Sequence, residues 1–69
     1  MDYIKKMNKM FEANPWTDKG RVKIDYAPNS DVVVVKVLDK VETINNLDEY
    51  TDYGIMFAIM EKVDEMYNS

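Results

Sequence analysis

The sequence predicts a single α+β domain of order α-β-β-β-α, with a three-stranded antiparallel sheet and two helices packed on one face of it. Three observations support this prediction. Apolar residues recur at helical spacing near both ends of the chain, two middle segments have the pattern of strands, and a cluster of turn residues separates those segments. The length of 69 residues allows one domain, residues 1–69, with one modest core.

The first helix is predicted over residues 2–13. Its apolar residues lie three or four positions apart, and lysines stand between them. These apolar residues are Tyr3, Ile4, Met7, Met10 and Phe11. Asn14 and Pro15 end the helix, because proline disfavours a helical conformation in the residue before it and cannot donate a backbone hydrogen bond. Residues 16–20 then form a connector.

A β-hairpin is predicted next. Residues 21–27 alternate in polarity, residues 32–38 are rich in valine, and residues 28–31 supply the turn. This loop length pairs Lys23 with Lys36 and Arg21 with Leu38, which makes one face of the hairpin wholly apolar. The residues of that face are Val22, Ile24, Tyr26, Val33, Val35 and Val37.

A third strand is predicted over residues 40–45, with Val41 and Thr43 on one face of the sheet and Ile44 on the other. The second helix is predicted over residues 47–67. Asp48 is its expected N-cap, since the acidic residues that follow Leu47 suit the first turn of a helix.

The composition argues against catalysis. The chain has no cysteine and no histidine, so the commonest nucleophilic thiol, general base and zinc ligands are absent from it. No sequence motif for a metal, a nucleotide or a phosphate is present, and paired carboxylates on a helix are usually exposed acids. We therefore expect a non-catalytic binding module with no cofactor, no metal ion and no small-molecule substrate.

Charge is distributed unevenly along the chain, although the net charge is −4. Residues 1–38 carry a net charge of +2, whereas residues 39–69 carry −6. On the sheet face away from the predicted core, basic residues form a candidate site for the phosphates of structured RNA. The candidate RNA-binding residues are Lys19, Arg21, Lys23, Lys36 and Lys40. The simpler alternative is a solvated sheet face.

The second helix is apolar on two sides, which is more than packing on a single surface requires. One side carries Tyr53, Met56, Phe57, Met60, Val63 and Tyr67. The other side carries the candidate partner-binding residues Ile55, Ile59 and Met66. Unpaired sheet edges also favour association with another chain. A protein partner is therefore expected, either a second small subunit or another copy of the same chain.

Several short motifs resemble the smaller Alu-domain protein of the signal recognition particle. They are Phe11-Glu12-Ala13-Asn14-Pro15 at the end of the first helix, Lys19-Gly20-Arg21-Val22 and Tyr26 around the first strand, and Val35-Lys36-Val37-Leu38-Asp39 in the second strand. The resemblance implies a module that pairs with a similar, larger subunit. Their joined sheets would then clamp the Alu portion of the particle's RNA. This sequence departs from the family at Asp25 and Ala27, where basic residues are usual, and in its acidic second helix.

A second hypothesis follows from size and acidity alone. A small acidic protein encoded by a phage or mobile element, such as an anti-CRISPR protein, can block the basic nucleic-acid site of a host protein. Its candidate acidic surface is Asp48, Glu49, Asp52, Glu61, Asp64 and Glu65. In either case no stretch approaches the roughly 18 apolar residues of a membrane span. We therefore expect a cytoplasmic protein with no membrane contact.

Overall fold

The predicted order of elements is confirmed by a computed structural model that describes residues 2–68. Helix α1 spans Asp2–Ala13, strands β1, β2 and β3 span Val22–Ala27, Val32–Val37 and Lys40–Ile44, and helix α2 spans Asp52–Tyr67. A short 3-10 helix at Leu47–Glu49 precedes α2. The fold class is α+β, a helix, a three-stranded antiparallel sheet and a helix, with both helices in contact with the sheet.

The sheet has the order β1-β2-β3 and is antiparallel throughout. The hairpin register agrees with the prediction along the whole of β1, with Val22 opposite Val37 and Ala27 opposite Val32. The outermost predicted pair lies beyond the strands, where Leu38 N donates to Arg21 O over 2.7 Å. Leu38 itself has a φ of 57°, because it begins the two-residue turn into β3.

One face of the sheet forms the core together with both helices. The inward side chains of the strands meet Met7 and Phe11 from α1 and a row of apolar side chains from α2. Val33, Val35 and Val37 are fully buried at the centre. The apolar face predicted for the hairpin is confirmed, with Tyr26 half-buried at its end. The helices therefore leave the other face of the sheet uncovered.

One hydroxyl group stabilises the end of α1, and another stabilises the start of α2. Helix α1 ends as predicted, and the buried Thr17 hydroxyl donates to Phe11 O over 2.7 Å in its last turn. Helix α2 starts later than predicted, so Asp48 is not its N-cap. Tyr50 is extended, which separates the 3-10 turn from α2, and Thr51 is the cap, since its Oγ1 accepts from Gly54 N over 3.0 Å.

Asn8 of α1 covers the middle of the β1 edge. Its Oδ1 accepts from Ile24 N over 2.9 Å, and its Nδ2 donates to Ile24 O over 2.8 Å. Because β1 is an outer strand, these two backbone groups of Ile24 would otherwise have no partner within the sheet. The Asn8 side chain thus replaces the strand that would pair there.

We expect the hairpin to lose stability in alkali. The Tyr26 hydroxyl donates to Asp31 Oδ1 over 2.6 Å, and this hydrogen bond raises the pKa of Tyr26 above its ordinary value of about 10. When folding raises the pKa of a group, that group stabilises the folded state at pH values below its unfolded pKa. This stabilisation is lost as the pH rises through the pKa of the folded state. Urea unfolding between pH 8 and pH 11, values on either side of the ordinary pKa of about 10, should show this loss.

Two variants test the assignment to Tyr26. Tyr26→Phe cannot ionise, so its unfolding free energy should fall less steeply above about pH 10 than that of the unaltered protein. Tyr53→Phe serves as the control, because this ring is 78% exposed. Equal alkaline losses in the unaltered protein and in Tyr26→Phe would contradict the role of this hydrogen bond.

Candidate nucleic-acid interface

The uncovered face of the sheet is the surface on which the predicted basic site lies. Side chains alternate between faces along a strand, so residues next to buried positions point away from the helices. Lys23, Lys36 and Val41 are neighbours across the three strands and are all exposed. We call this surface, together with Arg21 and Leu38 at its end, the outer sheet face.

Lys23 and Lys36 stand directly opposite each other in β1 and β2. Neither side chain forms an ion pair with any residue between positions 2 and 68. Like charges in this arrangement destabilise a sheet, and the cost falls when an anion binds between them. Asp25 is the next outward residue along β1 and lies opposite Val34, so it sits beside the pair and not within it.

Arg21 borders the lysine pair at one end of the hairpin. Its Nη1 donates to Pro15 O over 3.1 Å and lies 3.5 Å from Asp18 Oδ1. Asp18 therefore offsets part of its charge, although the Arg21 side chain stays 45% exposed. The connector thus anchors the arginine, which leaves the two lysines as the cations without an acidic partner on this face among the described residues.

The remaining two predicted RNA-binding residues do not join the pair. Lys19 is exposed in the connector, with a left-handed φ of 59°. Lys40 lies opposite the buried Val37, so it points to the helix side of the sheet, and its predicted placement on the outer sheet face is wrong. Its Nζ donates to Met66 O over 3.1 Å, near the carboxyl end of α2, where the helix dipole favours a cation.

The predicted partner-binding residues are also corrected. Ile55, Ile59 and Met66 are 3%, 0% and 1% exposed, and they belong to the core. Helix α2 thus faces the sheet with the side that the sequence analysis had assigned to a partner. Both sides of the helix are apolar, so only the packing against the sheet distinguishes them. The opposite side of α2 is the exposed one, where Tyr53 and Phe57 are 78% and 67% exposed.

The six candidate acidic residues are all exposed, but they do not share one surface. Asp48 and Glu49 belong to the 3-10 helix, and the others belong to α2. At about 100° per residue, Asp52 and Glu65 lie about 140° apart around the helix axis. Glu65 also lies 4.0 Å from the Nζ of Lys62. The arrangement therefore differs from a continuous row of charges like that of a nucleic acid backbone.

The edge of β3 differs from the edge of β1. The hairpin register directs the backbone groups of Lys40, Glu42 and Ile44 toward β2, so those of Val41 and Thr43 point outward. Among residues 2–68, no hydrogen bond to these outward groups is present. The sequence analysis missed that Asn8 closes one edge. An asparagine between Ile4 and Phe11 on an otherwise apolar helix face was the signal available.

Neither a metal-binding cluster nor a membrane-spanning helix occurs in the described part of the chain. Residues 2–68 contain no cluster of three or more histidine, cysteine, aspartate or glutamate side chains arranged to hold a metal ion. The same part of the chain contains no helix that is both long and apolar enough to cross a membrane.

No known protein family, curated protein or solved structure matched this chain. The resemblance to the Alu-domain protein therefore stays a prediction from the sequence motifs. Two features of the chain itself point to a binding role, the lysine pair of the outer sheet face and the open edge of β3.

Proposed function

We propose that this protein is a non-catalytic, cytoplasmic RNA-binding module that contacts the phosphates of a structured RNA through its outer sheet face. The observation that carries the proposal is the pair formed by Lys23 and Lys36, which are opposite each other and have no acidic partner among residues 2–68. Two lysines in this position repel each other until an anion lies between them, and RNA supplies closely spaced anions.

The outer sheet face favours contact with the RNA backbone over reading of bases. Its exposed apolar residues are Leu38 and Val41, and it carries no aromatic side chain on which a base would stack. Lysines bind phosphates as point charges, which gives affinity without sequence preference. The resemblance to the smaller Alu-domain protein implies the Alu portion of the signal recognition particle RNA as the substrate.

The proposal includes a second small subunit that pairs with the β3 edge. Backbone groups of Val41 and Thr43 are available there, whereas Asn8 occupies the edge of β1. A strand added to β3 would extend the outer sheet face beyond Val41 and enlarge the surface that meets the RNA. This second subunit would also supply further basic residues, which a chain of net charge −4 needs to bind RNA well.

The experiment that tests RNA binding uses charge reversal with a matched control. Lys23→Glu combined with Lys36→Glu should weaken binding to an Alu-domain RNA transcript by at least about tenfold at low salt, because it removes phosphate contacts and adds repulsion. Lys5→Glu combined with Lys9→Glu makes the same change in net charge on exposed positions of α1. Binding is measured by fluorescence anisotropy across a salt series.

The Lys5 and Lys9 control variant distinguishes the effect of a local binding site from the effect of net charge. The Lys23 and Lys36 variant should lose both affinity and salt dependence, whereas the Lys5 and Lys9 variant should keep most of each. Equal weakening by the two variants, or no binding of the unaltered chain at low salt, would contradict the proposal.

The acidic inhibitor is the second candidate, supported by the exposure of all six candidate acids. The inhibitor hypothesis predicts that the acidic residues, and not the lysine pair, are needed for binding. Neutralising Asp48, Asp52 and Asp64 should abolish binding to a basic host protein and leave RNA binding unchanged. The six candidate acids are divided between the 3-10 helix and separate sides of α2, which makes the RNA-binding module the better supported of the two.

A further inference from the structure

The outward side of α2 carries an apolar stripe that the fold does not use. Tyr53, Phe57 and Met60 follow at intervals of four and three residues, which aligns them along one side of the helix. They are 78%, 67% and 48% exposed. The core uses the opposite side of α2, so this stripe is additional to what folding requires. Large exposed aromatic side chains in a row are typical of protein-binding surfaces.

The connector extends this stripe at its carboxyl end. Trp16 is 78% exposed and lines a cleft of about 550 Å³ together with Met60 and Tyr67. The Tyr67 hydroxyl donates to the backbone oxygen of Trp16, which holds the connector against α2. The cleft is lined mainly by apolar side chains, so it suits an apolar anchor residue of a ligand.

Acidic residues border the stripe. Glu61 and Asp64 are exposed on α2, and Asp52 lies at its amino end. No cation between residues 2 and 68 lies within ion-pair distance of these three carboxylates. Lys62, the cation of α2, is turned instead toward Glu42, 3.3 Å away. Lys6 of α1 lines a pocket with Asp52 and Tyr53 at the amino end of the stripe. The surface is therefore apolar along its middle and negatively charged beside its carboxyl half, at Glu61 and Asp64.

An apolar stripe with acidic residues beside it favours some classes of ligand over others. A second copy of the stripe would bring acidic rims together, and RNA or an anionic membrane would meet the same repulsion. The complementary ligand is a helix with an apolar face bordered by lysine or arginine. We propose that the stripe and the Trp16 cleft form a docking site for a basic amphipathic helix of a partner protein. This site lies on the opposite side of the domain from the outer sheet face.

The single tryptophan provides the readout. The probe is a synthetic amphipathic helix of leucine and lysine, and the comparison peptide has glutamate in place of every lysine. Docking should shift Trp16 emission to shorter wavelength, reduce its quenching by acrylamide, and weaken as salt is added. Tyr53→Ser combined with Phe57→Ser should reduce the affinity by at least about tenfold, since exposed aromatic anchors dominate such contacts.

Two further variants test the acidic rim against general charge attraction. Glu61→Gln with Asp64→Asn removes two rim charges and should weaken binding several-fold. Asp48→Asn with Glu49→Gln removes the same charge from the 3-10 helix and should leave binding unchanged. Lys23→Glu with Lys36→Glu, on the outer sheet face, should not weaken binding either.

Five results would overturn the proposal. Equal binding of the glutamate peptide, or equal weakening by both pairs of acid-neutralising variants, would show that the rim gives no selectivity. A shift of the Trp16 emission that occurs without peptide, when the protein concentration alone is raised, would identify a second copy of the chain as the occupant. A larger shift with vesicles of anionic lipid than with the lysine peptide would identify a membrane. No shift with the lysine peptide at concentrations up to about 100 μM would exclude the site.

Discussion

Ile59→Ala should remove a large part of the stability of the protein at 25 °C, whereas Phe57→Ala should change the stability little. Ile59 is fully buried at the contact of α2 with the sheet, and Phe57, two residues earlier, is 67% exposed. Truncation of a buried isoleucine costs about 2–5 kcal/mol. A domain of 69 residues has a total stability of roughly 3–10 kcal/mol, at about 0.05–0.15 kcal/mol per residue.

The measurement is urea unfolding of both variants, followed by circular dichroism. Phe57→Ala removes a larger side chain than Ile59→Ala, so a difference in side-chain size cannot produce the expected order of stability. A greater loss in Phe57→Ala would mean that α2 packs with its other side on the sheet. That result would restore Ile55, Ile59 and Met66 as partner-binding residues and would remove the basis of the docking site proposed for the outward stripe.

Asn8→Ala should destabilise the protein by about 1–3 kcal/mol, through the loss of both hydrogen bonds to Ile24. The better helix propensity of alanine offsets about half a kcal/mol of this cost. The loss should also open the β1 edge, because the amide and carbonyl of Ile24 then lack their partner. Urea unfolding measures the first effect, and faster hydrogen exchange of the Ile24 amide measures the second.

Two further variants make the Asn8 prediction specific. Asn8→Asp keeps an acceptor for the Ile24 amide but removes the donor to the Ile24 carbonyl, so it should be destabilising as well. Asn14→Ala is the control, since Asn14 is exposed and its side chain accepts a single hydrogen bond, from Trp16 N. Unchanged exchange of the Ile24 amide in Asn8→Ala would mean that the side chain does not cover this edge.

These variants also bear on the proposed pairing with a second subunit. A three-stranded sheet has two edges, and the Asn8 amide leaves β3 as the edge with free backbone groups at its centre. If Asn8→Ala opens β1, association at both edges would lead to larger oligomers at high protein concentration. Sedimentation of the variant beside the unaltered protein would detect them.

The two proposed sites give the domain two different surfaces. The outer sheet face carries unpaired lysines, and the outward side of α2 carries aromatic residues with an acidic rim. The sheet and the helix layer lie between them, so one ligand does not obstruct the other. Occupancy of one proposed site would therefore leave the other proposed site accessible.

Local patterns were sufficient to predict the hairpin. The alternation in β1, the valines of β2 and a loop of four residues leave one register that places Val22, Ile24 and Tyr26 together on the core face. That register also predicted correctly that Lys23 lies opposite Lys36. The same reasoning failed for Lys40, because its strand had few apolar residues to indicate which face its side chain takes.

The sequence by itself determined the order of elements, the hairpin register and the lysine pair, because each depends on residues close together in the chain. Only the tertiary structure decided which side of α2 is buried and which sheet edge stays open. Helix α2 is apolar on both sides, so the choice depends on which side chains fit against the valines of β2. The middle of the β1 edge is covered by a hydrogen-bonded contact between residues 16 positions apart. The local pattern shows only an asparagine on an apolar helix face, and it does not show which strand that asparagine meets.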